Sequence, residues 1–573
     1  MRSTVSILTC CIISVVLLQY RINYSDMSSH QHPLKVTIWD AFGYYIYLPA
    51  ICIYKDVKHL NWLTEIDKKY AVTGGNGWQA EKLNNGNYVF KYLGGVAILE
   101  IPWFALGHFI AKHSKYPADG FSPPYQYALG FGVIFYCILS IFLLRKILRV
   151  YFSDTAVAIT LVLICLATNF IQYASIDNGQ SHGYIFPLYV LVLYTTIKWH
   201  QQPKLVWAIL TGYVIGLATI SRPTEAIMLF IPLMWHTQNK IATGEKWQLV
   251  KQHKSHIVFA GIAGITGILP QLIYWKITSG SFLYDVGSKW EFLDPHFRVL
   301  FGWEKGWFIY TPITLFFIIG MFFIKQLPFR KSVLWFCLLN IYIIIAWDDW
   351  RYGGSYSTRA LVQCYPVFAL PLAAFVEKIQ FKKWRFVIYF LFAYLLFVNL
   401  FQIYQYNKAI LHYDDMNRRY YSSIYLNPHP LSVDMSLLDS NELLTNETGY
   451  HQQILVQTDT NILLHFTNKS LPLANLQLAS TSSDTWLKVT AVIKAPNYLW
   501  QSYLHAELRV AHSVKHARVR LFSPISENDS FNTYAFYISV PVHFNNSILN
   551  VYITTRGNFE GVVQRLIITK FEQ

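Results

Sequence analysis

Residues 92–111 read YLGGVAILEIPWFALGHFIA, and the side of the membrane given to every later loop depends on whether they cross it. The stretch is apolar enough to span, but Gly94, Gly95, Pro102 and Gly107 suit a broken, re-entrant element. Charge decides the matter. Each span needs about 20 mostly apolar residues, and such runs occur at 4–20, 125–147, 154–173, 182–198, 205–220, 223–236, 256–276, 307–324, 332–347, 359–376 and 385–405. If 92–111 does not cross, residues 21–124 form one long outer segment. Then Arg145, Lys146 and Arg149 fall inside, as do Lys198, Lys204, Lys240, Lys246, Lys251, Lys254, Lys325, Arg330, Lys331, Lys378, Lys382, Lys383 and Arg385. If 92–111 crosses, all of them move outside, against the preference of lysine and arginine for the cytoplasmic face.

The expectation is a polytopic α-helical membrane protein with about eleven transmembrane helices, N-terminus in and C-terminus out. The runs 205–220 and 223–236 are short and suit a hairpin that does not fully cross. Met1 to Tyr20 has the apolar core of a signal peptide but no small-residue cleavage site, so it reads as a retained anchor.

Composition agrees. Of 573 residues, 53% are hydrophobic, 17% aromatic and only 14% charged, against roughly 25% charged in soluble domains. The net charge of +15 resides in short clusters at the ends of apolar runs. It reads as orientation and headgroup contact, with no nucleic-acid partner. The seven cysteines stop at Cys364, and no spacing suggests zinc.

After about Gln405 the pattern changes. Residues 406–449 are polar and read as a linker or small subdomain. From 450 to 573, alternating segments appear at Ile462–Phe466, Trp486–Ile493, Leu504–Val510, Ala517–Phe522, Tyr534–Val540, Leu549–Thr554 and Val562–Phe571. Turn residues such as Ser526 to Asp529 and Arg556-Gly557-Asn558 separate them. This spacing predicts a C-terminal extracytoplasmic β-sandwich. Exposed aromatics such as Trp500 would allow carbohydrate contact, and a packing domain without ligand is the plain alternative.

The outer loops hold the candidate chemistry. Val36 to Ala50 reads VTIWDAFGYYIYLPA. Asp40 sits there among aromatics that include Trp39 and Tyr44, where it can act as a general base or start a helix as its cap. Asp119, in PADGFSPP, is a second carboxylate in a sequence that also reads as a turn. His182 lies in IDNGQSHG, a short outer loop, where it can bind phosphate, ligate a metal, orient the carboxylate or simply be a satisfied interfacial residue. Arg222, in ISRPTE, and Arg351 and Arg359, flanking Gly353-Gly354, place cations near the membrane on the disfavoured side. Such cations need partners. A phosphate matches guanidinium geometry, while Glu225, Asp348 and Asp349 are the local alternatives. Lys289, Arg298 and Lys305 are weaker phosphate candidates.

With these residues in view, the membrane part (about 1–405) resembles the C-type glycosyltransferase superfamily, polytopic enzymes that use polyprenyl-phosphate sugars. Protein O-mannosyltransferases and the lipid A aminoarabinose transferase are examples. The resemblance rests on Asp40 early in the first outer loop, on Arg222-Pro223-Thr224 between short helices, and on the late outer loop from Trp350 to Pro366. Ala41 departs from the commoner Asp-Glu pair, which puts a paired-carboxylate role in doubt.

The resemblance implies inverting transfer of a sugar from a polyprenyl-phosphate donor to an extracytoplasmic acceptor: lipid, glycan or protein. Asp40, with Asp119 as second choice, would activate the acceptor. Arg222, Arg351 and Arg359 would hold the leaving phosphate, supported by His182, Tyr44 and Trp39. No nucleotide motif is visible. No cofactor is required, and a divalent metal is allowed but not demanded. A bacterial inner membrane with a periplasmic site fits best. The competing readings are a flippase or transporter, which would show matched repeats, an O-antigen ligase or polymerase handling lipid-linked saccharides, and a non-catalytic membrane scaffold displaying the β-domain.

Overall fold

The computed structural model describes residues 4–28, 36–75, 77–459, 462–467, 470–479, 484–494, 502–511, 513–521, 531–555 and 558–573. Trp500, the turn at 526–529 and Arg556-Gly557 lie outside them. The chain divides into two compact units, Met1–Leu400 and Phe401–Gln573.

The first unit is helical. Six helices among the described residues are long and apolar enough to cross a membrane: Thr4–Tyr24, Gly95–Lys112, Pro123–Leu148, Lys254–Ser279, Arg359–Ile379 and Arg385–Asn407. The protein is an integral membrane protein. Helical segments cover all the apolar runs read from the sequence, but not always as single spans. The 154–173 run ends as a helix at Leu166. There Asn399 Nδ2, itself buried, donates to the carbonyls of Leu166 and Thr168 at 2.8 and 2.9 Å. This satisfies groups that the helix leaves unpaired. The 307–324 run is four short pieces, Trp307–Tyr310, Pro312–Thr314, Leu315–Gly320 and Met321–Phe323, because Pro312 brings no amide hydrogen to a continuous helix.

The opening stretch also differs from expectation. Gly95–Lys112 is one helix that continues through Pro102, with Gly94 as its N-cap. Its glycines serve packing. A Cβ on Gly107 would lie 2.8 Å from the Tyr125 backbone, and one on Gly95 would lie 2.5 Å from the amide nitrogen of Ser221. Close approach recurs between Leu205–Thr219 and Lys254–Ser279. Cβ atoms on Gly212 and Gly216 would fall 1.9 and 2.1 Å from the carbonyl oxygens of Ala260 and Gly264. Small residues four apart let two backbones touch where no hydrophobic effect drives helix association.

The segment between the first helix and Gly95 holds short helices Asp40–Tyr45, Tyr47–Cys52 and Leu63–Tyr70. It also holds an antiparallel hairpin of β1 (Ala80–Lys82) and β2 (Tyr88–Phe90) that the sequence reading had not marked.

The second unit is all-β beyond residue 450. Its strands are β3 (His451–Thr458), β4 (Ile462–Thr467), β5 (Ser470–Gln477), β6 (Thr485–Lys494), β7 (Tyr503–Val510), β8 (Ser513–Arg520), β9 (Asn532–Val540), β10 (Ile548–Thr554) and β11 (Asn558–Glu572). They form antiparallel sheets ordered β5-β10-β7-β8 and β3-β11-β6-β9, with β4 also on β11. Alternate residues such as Leu487, Val489, Ile493, Phe536 and Ile568 from one sheet, and Leu504, Leu508, Leu549 and Val551 from the other, share one apolar cluster. Seven strands match the alternating segments.

The two strands of this unit left unmarked are β3, none of whose residues is buried, and β5. β5 carries Pro472 beside a register shift against β10, the place where a strand tolerates proline.

Residues 406–449, expected as a linker or small subdomain, fall within this unit and carry helices Arg418–Ile424 and Ser432–Ser436. Arg520 on β8 anchors them. Its Nε and Nη2 donate to Asp439 at 2.7–3.0 Å, and Nη1 lies 3.0 Å from Asp415 and 2.9 Å from His412.

Candidate active site

Asp40 opens the helix Asp40–Tyr45, yet among the described residues its carboxylate caps no backbone amide. Tyr92 donates to Oδ1 at 2.8 Å, and the Arg359 guanidinium donates to Oδ2. The approach to this helix is strained: Trp39 has φ 54 and ψ −126. Its amide is held by the Val72 carbonyl at 3.1 Å, and its ring lies where a Cβ on Gly74 would be, within 2.4 Å. Strained backbone of this kind concentrates at functional positions. Gly43, one turn after Asp40, clears a path for Tyr92: a Cβ there would sit 2.2 Å from the Tyr92 ring. Tyr44, buried, meets Tyr92 edge-on at 4.7 Å between ring centroids.

Arg359 begins the short helix Arg359–Cys364. The preceding loop is pinned residue by residue. The Tyr356 amide donates to the Tyr173 hydroxyl at 3.0 Å, Ser357 and Thr311 hydroxyls lie 2.8 Å apart, and Thr358 Oγ1 donates to the Val299 carbonyl at 2.7 Å. These bonds aim the guanidinium without engaging it. Asp177, in the loop before Ser181–Gln201, is a second carboxylate in the field of Arg359. Burial pushes its carboxyl up to about 6, with Arg359 pulling the other way and Asp40 adding to the rise.

Next to this pair stands a second set of polar groups. His182, in the first turn of Ser181–Gln201, places Nδ1 2.8 Å from Gln363 Oε1. Gln363 Nε2 donates to Glu225 at 3.0 Å, and Tyr189 donates to the other oxygen of Glu225. Arg222 Nη1 lies 3.4 Å from His182 Nδ1.

The structure therefore gathers Asp40, Tyr44, His182, Arg222 and Arg359 into one region, with Trp39 half-exposed beside Asp40. It places two other candidates elsewhere. Asp119 takes Tyr70 at 2.6 Å and Lys69 at 3.1 Å, and accepts from the amides of Phe121 and Ser122 at 3.0 Å each, bracing the turn before Pro123–Leu148. Arg351 is exposed and lies over the Trp350 ring at 5.2 Å, with Arg298 over the same ring at 4.6 Å.

Two local pairings expected from sequence also differ. Glu225 hydrogen-bonds Gln363 and Tyr189 instead of the Arg222 side chain. Arg359 takes Asp40, from 319 positions away, instead of Asp348 or Asp349. Sequence reading missed Tyr92, Asp177, Gln363 and Tyr189 as site residues. Asp177 had a usable signal, being a carboxylate five residues before His182 in an outer loop; Gln363 and Tyr189, inside apolar helices, had none.

Among the described residues, no three His, Cys, Asp or Glu side chains gather as metal ligands. Of the carboxylates nearest the site, Asp40 is hydrogen-bonded to Arg359 and Asp177 lies in the field of that guanidinium.

No curated protein matches this sequence. Among solved structures, the chain is similar to the apo oligosaccharyltransferase of Archaeoglobus fulgidus, at 12% identity and a TM-score of 0.42 over 74% of this chain and 60% of that one. It is also similar to the arabinosyltransferase EmbB of Mycobacterium smegmatis, at 8% identity and a TM-score of 0.36 over 97% of this chain and 64% of that one. The chain thus spans less than two thirds of the length of either. A family model matches more narrowly, within the helical unit and across the segment carrying Asp177, His182, Arg222 and Glu225. Residues 126–274 match the model described as dolichyl-phosphate-mannose-protein mannosyltransferase, in agreement with the C-type glycosyltransferase resemblance carried by the outer loops.

Proposed function

We propose that this protein is a membrane glycosyltransferase that moves a sugar from a polyprenyl-phosphate donor to an extracytoplasmic lipid, glycan or protein, with inversion at the anomeric carbon. The observation that carries the reading is the convergence of Asp40, Tyr92 and Arg359 beside Arg222 and His182. A carboxylate is oriented by a phenol and a guanidinium, with a second guanidinium close by, next to apolar helices that suit a lipid tail.

In the proposed step, the acceptor hydroxyl attacks the anomeric carbon and its proton passes to Asp40. The bond from that carbon to the phosphate oxygen breaks, and polyprenyl phosphate leaves with the electron pair. Arg222 and Arg359 face the negative charge that develops on the leaving group, where fixed donors lower a barrier most. Arg359 has a further effect. Its bond to Asp40 aims the base, and phosphate arrival would draw the guanidinium away and release that carboxylate to take the acceptor's proton. Arg351 stays in the proposal as a phosphate contact nearer the loop surface. Asp119, held by four donors, is the weaker choice for the base. Eleven spans with the N-terminus inside, a bacterial plasma membrane and a site on its outer face complete the reading.

The test is transfer of radiolabelled sugar from synthetic polyprenyl-phosphate sugars in nanodiscs. Asp40→Asn keeps the size of the side chain and is expected to lower turnover by about 10²–10⁴-fold, the usual worth of a positioned base. Full activity in Asp40→Asn removes Asp40 from the step and directs attention to Asp119.

A further inference from the structure

The hydrogen bonds behind His182 have a fixed polarity. Glu225 is 1% exposed. One of its oxygens accepts from the Tyr189 hydroxyl and the other from the Gln363 amide nitrogen at 3.0 Å. That orientation leaves Gln363 Oε1, an acceptor, facing His182 Nδ1 at 2.8 Å. His182 Nδ1 must then carry hydrogen, and in the neutral ring Nε2 carries a bare lone pair. Arg222 lies against Nδ1, which already donates, so the two N–H groups meet without forming a hydrogen bond. Among the described residues, no side chain or backbone group takes Nε2. Three buried residues from three helical segments thus set the tautomer of a histidine whose Nε2 is left unused by the described residues.

We infer that His182 is a sugar-recognition residue whose Nε2 accepts a hydrogen bond from one hydroxyl of the transferred sugar, and that Glu225 and Gln363 are positioning residues that hold it in the accepting tautomer. This rests on the transferase reading above and names what selects the donor. A site built to accept a hydroxyl rejects an analogue lacking it, because the buried acceptor is left unpaired. Arg222, with no carboxylate hydrogen-bonded to it among the described residues, stands beside this histidine. The sugar hydroxyl and the donor phosphate would therefore be read side by side.

The experiment uses the full-length protein in nanodiscs with polyprenyl-phosphate mannose, glucose, arabinose and aminoarabinose, then the monodeoxy analogues of whichever sugar transfers best. Wild type is expected to lose about 10–100-fold in kcat/KM for one deoxy position. His182→Asn can still donate to Gln363, but its amide oxygen stops short of the place of Nε2, so that same deoxy position should cost it almost nothing. His182→Gln extends an amide oxygen toward the place of Nε2 and should restore part of the discrimination. Glu225→Gln, which no longer dictates the amide orientation of Gln363, should fall between wild type and His182→Asn.

A merely structural histidine would lower all donors by one common factor and leave the deoxy ratio unchanged in His182→Asn. That result overturns this inference while leaving the transferase reading intact. Absence of transfer from all four donors by folded wild type overturns the reading and this inference together.

Discussion

Two arginines in this molecule make opposite use of the same chemistry. Arg520, in the β unit, has Asp439 on Nε and Nη2, and Asp415 and His412 on Nη1, while its own amide also donates to Asp439 at 3.0 Å. Its donors are spent on holding residues 412–439 to β8. Arg359, in the helical unit, makes one side-chain hydrogen bond among the described residues, to Asp40, and the loop before it is pinned through backbone and neighbouring hydroxyls instead. A saturated guanidinium is a staple. An aimed guanidinium with donors in hand has been positioned by its surroundings for something else, and the candidate site is built around that kind.

The contrast can be broken by exchange. Arg520→Ala leaves Asp439, whose side chain is 5% exposed, without its cation. Removing one partner of such a pair costs about 3–5 kcal/mol, to be read as earlier thermal unfolding and faster proteolysis within 401–573. Arg359→Lys retains a charge opposite Asp40 but loses the spare donors. Transfer is expected to fall about 10²–10³-fold, with the melting temperature close to wild type. Should Arg359→Lys instead unfold the helical unit and leave transfer intact, Arg359 is a staple as well.

Asp177 sharpens the same comparison through pH. The fold raises its carboxyl from 3.8 to about 6, so the folded chain favours the neutral form. No penalty exists below pH 4, where folded and unfolded chains are both protonated. Between pH 4 and 6 the unfolded chain gains by ionising and stability falls; above pH 6 the loss is complete, up to about 3 kcal/mol. Asp177→Asn should therefore melt like wild type near pH 4 and above it at pH 7. Equal melting at both pH values would show that burial does not raise the Asp177 carboxyl.

The smallest expected effect tests the orientation of Asp40. Tyr92→Phe removes one hydrogen bond to a charged acceptor and should lower transfer by about tenfold, equivalent to roughly 1.5 kcal/mol. Gly43→Ala puts a methyl group 2.2 Å from the Tyr92 ring and should do at least as much without touching a polar atom. If Gly43→Ala is silent while Tyr92→Phe is not, Tyr92 reaches Asp40 by a route that does not need the cleft.

Hydropathy carried most of the helical architecture, because every residue adds its own transfer free energy wherever its contacts lie. Alternation found seven strands for a similar reason: one buried face imposes a two-residue period. It failed at β3, which buries no residue and so has no apolar face to impose the period, and at β5, where Pro472 sits beside a register shift. It failed differently at 307–324 and at Leu166, where a run apolar enough to span is interrupted by a proline in one case and ended beside Asn399 in the other. At the site, Asp40, Arg222, Arg359 and His182 stood out because charge in an aromatic or membrane-facing loop needs a partner. Asp119 and Arg351 stood out on the same ground and found other partners.

From the chain alone came the apolar segments, the basic clusters between them, the change to β structure after about 405, and a short roster of polar residues in the loops between apolar runs. Each of these depends on properties that residues carry individually or repeat with a fixed local period. The tertiary structure alone decided that Asp40 meets Arg359, that Gly43 makes room for Tyr92, and that Glu225 turns Gln363 and so fixes His182. Hydrogen bonds are directional and short, and the groups they join lie 36 to 319 positions apart. No local pattern encodes such a meeting; only the packed arrangement of helices does.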